Sequence, residues 1–326
     1  MLVRCRQEHD REESAMSETP VPVPEPGETA ALAQVLVATD FSETAEAALD
    51  WAVAIARHHG ARVHLVHGLT LPSPLPDYVP SGADFGQELH RIAQAKLEET
   101  AARVRQTGLA VDLDVLVGVP SQVIVRAAEE AGADLVVLGT RGLTGITHLL
   151  LGSTAERVVQ RCPCPVLTVH PGDRGRHRTI RTVVVPTDFS GGAGEAARRA
   201  LRLLAPLDGG AHLVLVHAYH LPIEYTAYGP IPTSVNYLSD VGADAQERMD
   251  RMAKELAREG LTVETATREG YAPDVIVEEA RERDADLIAM GTHGRTGLAH
   301  LLLGSTAERV VQHAPCPVMT VRRRED

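Results

Sequence analysis

The chain has 326 residues, a formal net charge of −12, 44% hydrophobic residues and 3% aromatic residues. That length suits two ordinary domains better than one, and cores so poor in aromatics must draw on Ala, Val, Leu and Ile, as buried parallel strands of α/β proteins do. The acidic balance, with no basic face and few stacking rings, argues against nucleic acid and against an anionic membrane surface as partners.

Residues 1–33 read as a tail. They open with Arg4, Arg6, Glu8, Asp10, Arg11, Glu12 and Glu13 and contain no apolar segment, so no secretory signal is expected. Met16 offers a second translation start before a Ser/Thr/Pro-rich run, and the whole tail is expected to be disordered. No stretch approaches the roughly 20 apolar residues of a membrane span. Cys5, Cys162, Cys164 and Cys316 show no disulfide framework and read as buried thiols of a reducing compartment. A cytoplasmic location is the expectation.

From residue 34 onward strands and helices alternate. The pattern predicts strand 34–39, helix 43–59, strand 62–67, helix 86–107, strand 110–117, helix 120–131, strand 134–138, helix 153–161 and strand 165–169. Helix 86–107 carries an apolar stripe at Leu89, Ile92, Ala93, Leu97, Ala101 and Val104. His58 and His59 close their helix, where they would complement its dipole. Such alternation builds a parallel sheet with right-handed crossovers and helices on both faces. Two stretches rich in Pro, Gly, Ser and Tyr, Leu71 to Phe85 and Leu221 to Gly242, read as long functional loops.

The pattern then repeats. Gly139 to Val169 aligns without a gap on Gly291 to Val321, at an offset of 152 residues, and only seven paired positions differ. The run VLVATDFS from Val35 likewise matches VVVPTDFS from Val183. The repeat is a tandem duplication of one domain, with domains 34–170 and 181–326 joined by a polar linker at 171–180.

The chemistry sits in two motifs per copy. The first is Gly139-x2-Gly142-x9-Gly152-Ser153, repeated as Gly291-x2-Gly294-x9-Gly304-Ser305. Each run starts at the carboxyl end of a buried strand, where open α/β sheets bind ligands, and ends at a helix start. Glycines let backbone amides approach an anion, and the helix start adds unpaired N–H groups and a positive dipole end. Ser153-Thr154-Ala155-Glu156 and Ser305-Thr306-Ala307-Glu308 fit a capping box. The serines would either cap the helix or donate to a phosphate, and Thr154 and Thr306 are second-choice contacts. Glycines that merely make turns are the competing reading. The second motif is Thr39-Asp40-Phe41-Ser42 and Thr187-Asp188-Phe189-Ser190. Its aspartate would either accept from an adenine amine or ribose hydroxyl, or cap the next helix in competition with Ser42 and Ser190. Arg141 and His293 share one place inside the glycine turn, suited to a terminal phosphate or to solvent. His148 and His300 read as packing residues, and Cys164 and Cys316 as small buried hydrophobes.

The G-x2-G-x9-G-S run, the TDFS turn and the PCPV at the last strand together resemble the ATP-binding branch of the universal stress protein family. The likeness covers nearly all of residues 34–323 in two copies, as in tandem-domain members. It implies two Rossmann-like (adenine nucleotide α-hydrolase-like) domains, each a five-stranded parallel sheet of order 3-2-1-4-5. It implies ATP as the ligand, with Mg2+ or Mn2+ held by the phosphates. Asp40 and Asp188 would then meet adenine or ribose, and Gly68 and Ala218, just after the second strand, would lie against adenine through backbone. Gly139, Gly142, Gly152 and Ser153, with Gly291, Gly294, Gly304 and Ser305, would hold ribose and phosphates. Family members pair through their last strands, so Val166–Val169 and Val318–Val321 would pair within the chain as a pseudo-dimer, and a homodimer is a further option. Ala38 stands where the second copy has the more usual Pro186, and Gly191-Gly192 loosens a helix start. The function so implied is a nucleotide-dependent regulatory module. An ATP hydrolase or nucleotidyl transferase and a non-binding structural protein are the alternatives, and no Walker-type motif is present to favour fast hydrolysis.

Overall fold

A computed structural model describes residues 31–71, 82–142, 151–173, 179–204, 210–219, 223–226, 229–232, 235–294 and 303–322. Most of the predicted tail, much of the loop after Leu71, part of the linker, and His148 and His300 lie outside the described residues.

The N-terminal half runs β1 (Gln34–Ala38), α1 (Glu43–His59), β2 (Arg62–Leu69), α2 (Gly82–Arg105), β3 (Val111–Val117), α3 (Pro120–Glu130), β4 (Leu135–Gly139), α4 (Ser153–Arg161) and β5 (Val166–Val169). The C-terminal half repeats it as β6 (Thr182–Pro186), α5 (Gly191–Leu203) and β7 (Ala211–Tyr219). A hairpin of β8 (Ile223–Thr226) and β9 (Gly229–Pro232) follows. Then come α6 (Val235–Leu256), β10 (Leu261–Glu269), α7 (Ala272–Glu282), β11 (Leu287–Gly291), α8 (Ser305–His313) and β12 (Val318–Val321).

Each half is a parallel sheet of order 3-2-1-4-5, with β3-β2-β1-β4-β5 in the first and β10-β7-β6-β11-β12 in the second. The two join into one ten-stranded sheet because β12 pairs with β5 antiparallel, Val318 opposite Thr168 and Thr320 opposite Val166. At this seam the Thr168 hydroxyl donates to the Val318 carbonyl at 3.0 Å and the Thr320 hydroxyl to that of Val166 at 3.3 Å. Buried hydroxyls are tolerable there because each has a carbonyl to satisfy it.

Both faces of the sheet are covered, which is why its central strands are apolar throughout. Val35 and Val37 face the layer of α1, α2, α5 and α6, while Leu36 and Ala38 face the layer of α3, α4, α7 and α8. The outer strands β3 and β10 alternate in exposure and carry charges such as Asp112, Asp114 and Glu264, which protect a sheet edge from further pairing. Entry into each half is clamped in the same way. Asp134 Oδ2 accepts from the amides of Ala33 and Gln34 at 2.7 and 3.0 Å, and Asp286 Oδ2 from those of Arg181 and Thr182 at 2.9 Å each.

Several expectations change. In the α2 stripe Ala93, Leu97, Ala101 and Val104 are buried, but Ile92 is 42% exposed. The stretch after Leu221 is not one long loop, since it holds the β8–β9 hairpin and the start of α6. Tyr, Ile and Thr suit such short paired strands, even with Pro230 and Pro232 inside β9. The first residues of the supposed linker are packed: Asp173 is buried, its carbonyl accepts from Trp51 Nε1 at 3.3 Å, and His170 Nε2 donates to the Val311 carbonyl of the other half at 2.7 Å. His59 does not serve the helix dipole as a cation. Burial, with His58 and Arg202 nearby, pushes its pKa down to about 4, and Gly60 in the left-handed conformation closes α1 instead. Cys162 and Cys316 are buried, whereas Cys164 is only partly so and lies 3.5 Å from Cys162 sulfur to sulfur.

Candidate functional site

The carboxyl ends of β1 and β4 point the same way, as do those of β6 and β11, so each half gathers its turn residues at one end of the sheet. In the TDFS turn of the first half, Thr39 Oγ1 accepts from the Phe41 amide at 3.0 Å and Asp40 Oδ1 from the Ser42 amide at 3.0 Å. Ser42, not Asp40, caps α1, accepting from the Ala45 amide at 3.2 Å. The second half repeats the turn with Thr187, Asp188 and Ser190 at the same distances of 3.0 Å. There Ser190 makes no side-chain cap, and its hydroxyl is buried without a hydrogen-bond partner among the described residues.

The turn forces Phe41 and Phe189 to φ 64°, a left-handed conformation uncommon for a bulky residue. Each ring is held from two sides. Phe41 stacks on His67 with ring centres 4.7 Å apart and lies 5.5 Å below Lys96 Nζ; Phe189 stacks on His217 at 4.5 Å and lies 5.7 Å from the Arg248 guanidinium. His67 Nδ1 donates to the Thr39 carbonyl and His217 Nδ1 to that of Thr187, each at 2.8 Å. Sequence reading missed this support; the signal was the histidine shared by both copies at the end of the second strand.

The glycine turn packs onto the aspartate. A Cβ on Gly142 would lie 2.6 Å from Asp40 Oδ2, and one on Gly294 2.8 Å from Asp188 Oδ2. Gly152 donates its amide to the Thr140 carbonyl at 2.8 Å and Gly304 to that of Thr292 at 3.0 Å, which brings the ends of the turn together. Gly139 lies against Thr44, while its counterpart Gly291 lies against Gly192.

The capping box does not form. Gly152 and Gly304 are the N-cap residues, their carbonyls accepting from Glu156 and Glu308, and no side chain caps either helix. Ser153 and Ser305 are the first helical residues and are exposed. Glu156 and Glu308 accept instead from Gln160 and Gln312 one turn later, at 3.1 and 3.2 Å. The helix starts therefore keep uncapped amides beside free-standing serines.

In the C-terminal half these parts enclose a cavity of ≈ 220 Å3. Its wall is Pro186 at the end of β6 with Thr187 and Asp188 beyond it, Ala218 in β7, Gly291 at the end of β11 with His293 and Gly294 beyond it, and Gly304, Ser305 and Thr306 at α8. Every residue the sequence nominated in this half lines that one space. Ser190, Ala193, Val216, Ala272, Ile276 and Met290 line it too and, Ser190 apart, were not singled out. Gly68 and Ala218 lie within β2 and β7, not just beyond them. In the N-terminal half Ala38 ends β1, Thr39 and Asp40 follow it, and Arg141 and Gly142 follow Gly139 and Thr140 toward Gly152, Ser153 and Thr154 at α4. Among the described residues no three His, Cys, Asp or Glu side chains cluster as a metal cage.

Fold and site together define a duplicated α/β protein with a cavity at the strand ends of its C-terminal half. Residues 32–170 and 179–322 each match the model of the universal stress protein family. A universal stress protein of Methanocaldococcus jannaschii is 35% identical over 150 residues, 46% of this chain and 86% of that one. One from Mycolicibacterium smegmatis is 28% identical over 300 residues, covering 89% of this chain and 97% of that one. The crystal structure of a universal stress protein from Archaeoglobus fulgidus DSM 4304 superposes with a TM-score of 0.64 at 21% identity, covering 89% of this chain and 98% of that one, and so shares the fold. The chain belongs to the universal stress protein family, with two copies of its domain in tandem.

Proposed function

We propose that each half binds an adenine nucleotide, ATP foremost, and that occupancy regulates the protein's associations in a stress response. The working units are residues 34–170 and 181–326, joined at 171–180, with the β5–β12 seam acting as an internal pseudo-dimer interface and a homodimer as a further level of assembly. The observation that carries the reading is the convergence in the C-terminal half. Separate segments from β6, α5, β7, α7, β11 and α8 line one cavity whose floor is an uncapped helix start. Helix amides and glycine backbone suit phosphate, even in a chain of net charge −12. Asp40 and Asp188 accept a backbone amide through Oδ1 and hold Oδ2 against Gly142 and Gly294, which fixes the carboxylate at the strand end where the reading places adenine or ribose. The buried, unpartnered Ser190 hydroxyl lines the same cavity and fits a ligand oxygen. A divalent ion would be held by the phosphates. Binding alone suffices for regulation, since a ligand shifts an equilibrium without chemistry.

Equilibrium dialysis with labelled ATP tests this. The native chain should bind up to one nucleotide per half, Gly142→Val and Gly294→Val should each remove binding in their own half, and the double variant should bind none. Unchanged affinity in a folded double variant refutes the cradle.

A further inference from the structure

The two sites share a plan but differ at their phosphate ends. In the N-terminal half Thr140 is 3% exposed, and its Oγ1 is buried with no hydrogen-bond partner among the described residues. Arg141 follows it in the turn. In the C-terminal half Thr292 is 2% exposed, but its Oγ1 is engaged with Nδ1 of His293 at 2.9 Å. Both Thr292 and His293 line the cavity. One half thus keeps a buried hydroxyl without a partner among the described residues, on the residue just before an arginine. The other has tied the equivalent hydroxyl to the residue that replaces the guanidinium.

The wall formed by the second strand and the following helix differs as well. A Cβ on Gly68 would lie 2.9 Å from Pro120 Cα, so the first half puts a proline ring where its strand has no side chain. In the second half Ala218 and Ala272 line the cavity at these places. The exchange at this wall is between apolar residues, whereas that at the glycine turn replaces a guanidinium by an imidazole.

Accepting the nucleotide reading above, we propose that the two halves select different phosphate charge: the N-terminal half is the polyphosphate site, and the C-terminal half takes adenine nucleotides with fewer phosphates. Arg141 and His293 are the specificity-determining residues. A guanidinium is charged at every working pH and presents a rigid fork of donors suited to phosphate oxygens. An imidazole engaged with its neighbouring hydroxyl through Nδ1 offers only its Nε2 to a ligand, against the several donors of a guanidinium.

The test is calorimetric titration of the full-length chain with ATP and with AMP under identical buffer conditions. Gly294→Val isolates the N-terminal site and Gly142→Val the C-terminal site. The ATP-over-AMP preference should be at least about tenfold larger in the N-terminal site, the ratio that one charge-assisted hydrogen bond supports. Arg141→His should shrink that preference by about the same factor, and His293→Arg should enlarge the preference of the other site. Equal preferences in the two halves, or preferences that ignore both exchanges, overturn the inference. Because a valine could unfold its half, Arg141→His is also titrated in the otherwise native chain. Loss of ATP affinity with AMP affinity kept supports the assignment, and equal loss of both overturns it. If the folded native chain binds no adenine nucleotide, the underlying functional reading falls; if it binds without distinguishing the halves, this inference alone falls.

Discussion

Gly68→Ala probes the tightest backbone approach at the site's inner wall. The added Cβ would meet Pro120 Cα at 2.9 Å and Pro120 Cβ at 3.1 Å. Carbon atoms prefer about 3.5–4.0 Å, so the two elements must separate by roughly half an ångström. No side-chain rotation relieves this, because Pro120 is the first residue of α3, and that helix start is pinned by Gln122 and Val123 amides donating to the Val119 carbonyl at 2.9 and 3.0 Å. Overpacking of this kind costs about 1–3 kcal/mol, and removing a glycine from the unfolded chain returns about 0.4–1 kcal/mol. The net expectation is a loss of about 1–2 kcal/mol, or a fall of about 2–8 °C in melting temperature for a domain of this size. Urea unfolding followed by tryptophan fluorescence measures it, since Trp51 is the chain's single tryptophan, is 1% exposed and sits in the affected half. A Gly68→Ala protein as stable as the native one would refute the packing argument.

The same reasoning ranks two equivalent glycines. A Cβ on Gly139 would meet Thr44 Cγ2 at 2.6 Å and Thr44 backbone carbon at 3.1 Å, whereas one on Gly291 would find Gly192 no nearer than 3.3 Å. Gly139→Ala should therefore destabilise by about 1–3 kcal/mol and Gly291→Ala by less than about 1, as compared by urea midpoints. His59 should make stability fall in acid. The unfolded imidazole takes its proton near the ordinary 6.5, but the folded one only near about 4. Between those values the unfolded state binds more protons, so stability present above about pH 6.5 is lost as the pH drops toward 4. Melting temperatures measured across that window should show a shallower slope in His59→Gln than in the native chain, and equal slopes would exclude His59 as the source.

Much of this protein was legible in the chain itself. The gapless repeat from Gly139 to Val169 and from Gly291 to Val321 announced two copies of one domain. Strand–helix alternation located helices such as Glu43–His59 and Ser153–Arg161 at their ends, because turn residues and apolar periodicity act over a few neighbours. The nominated residues of the C-terminal half meet in one cavity because motifs at strand ends inherit their position from a parallel sheet.

What escaped the sequence depended on partners distant in the chain. Ser153 looked like a cap, yet Gly152 holds that place because its amide reaches the Thr140 carbonyl across the turn. Ile92 had helical spacing but lies at the edge of the stripe, where nothing covers it enough to exclude solvent. His59 cannot serve the helix end as a cation because burial in the fold, and then the neighbouring His58 and Arg202, push its pKa down to about 4. The left-handed Phe41 and Phe189 are sustained by His67 and His217, which reach them from the neighbouring strand. Local preference set the elements and their order along the chain. Only the folded arrangement decided which hydroxyls, amides and rings found partners, since that depends on distances between residues that the chain does not keep adjacent.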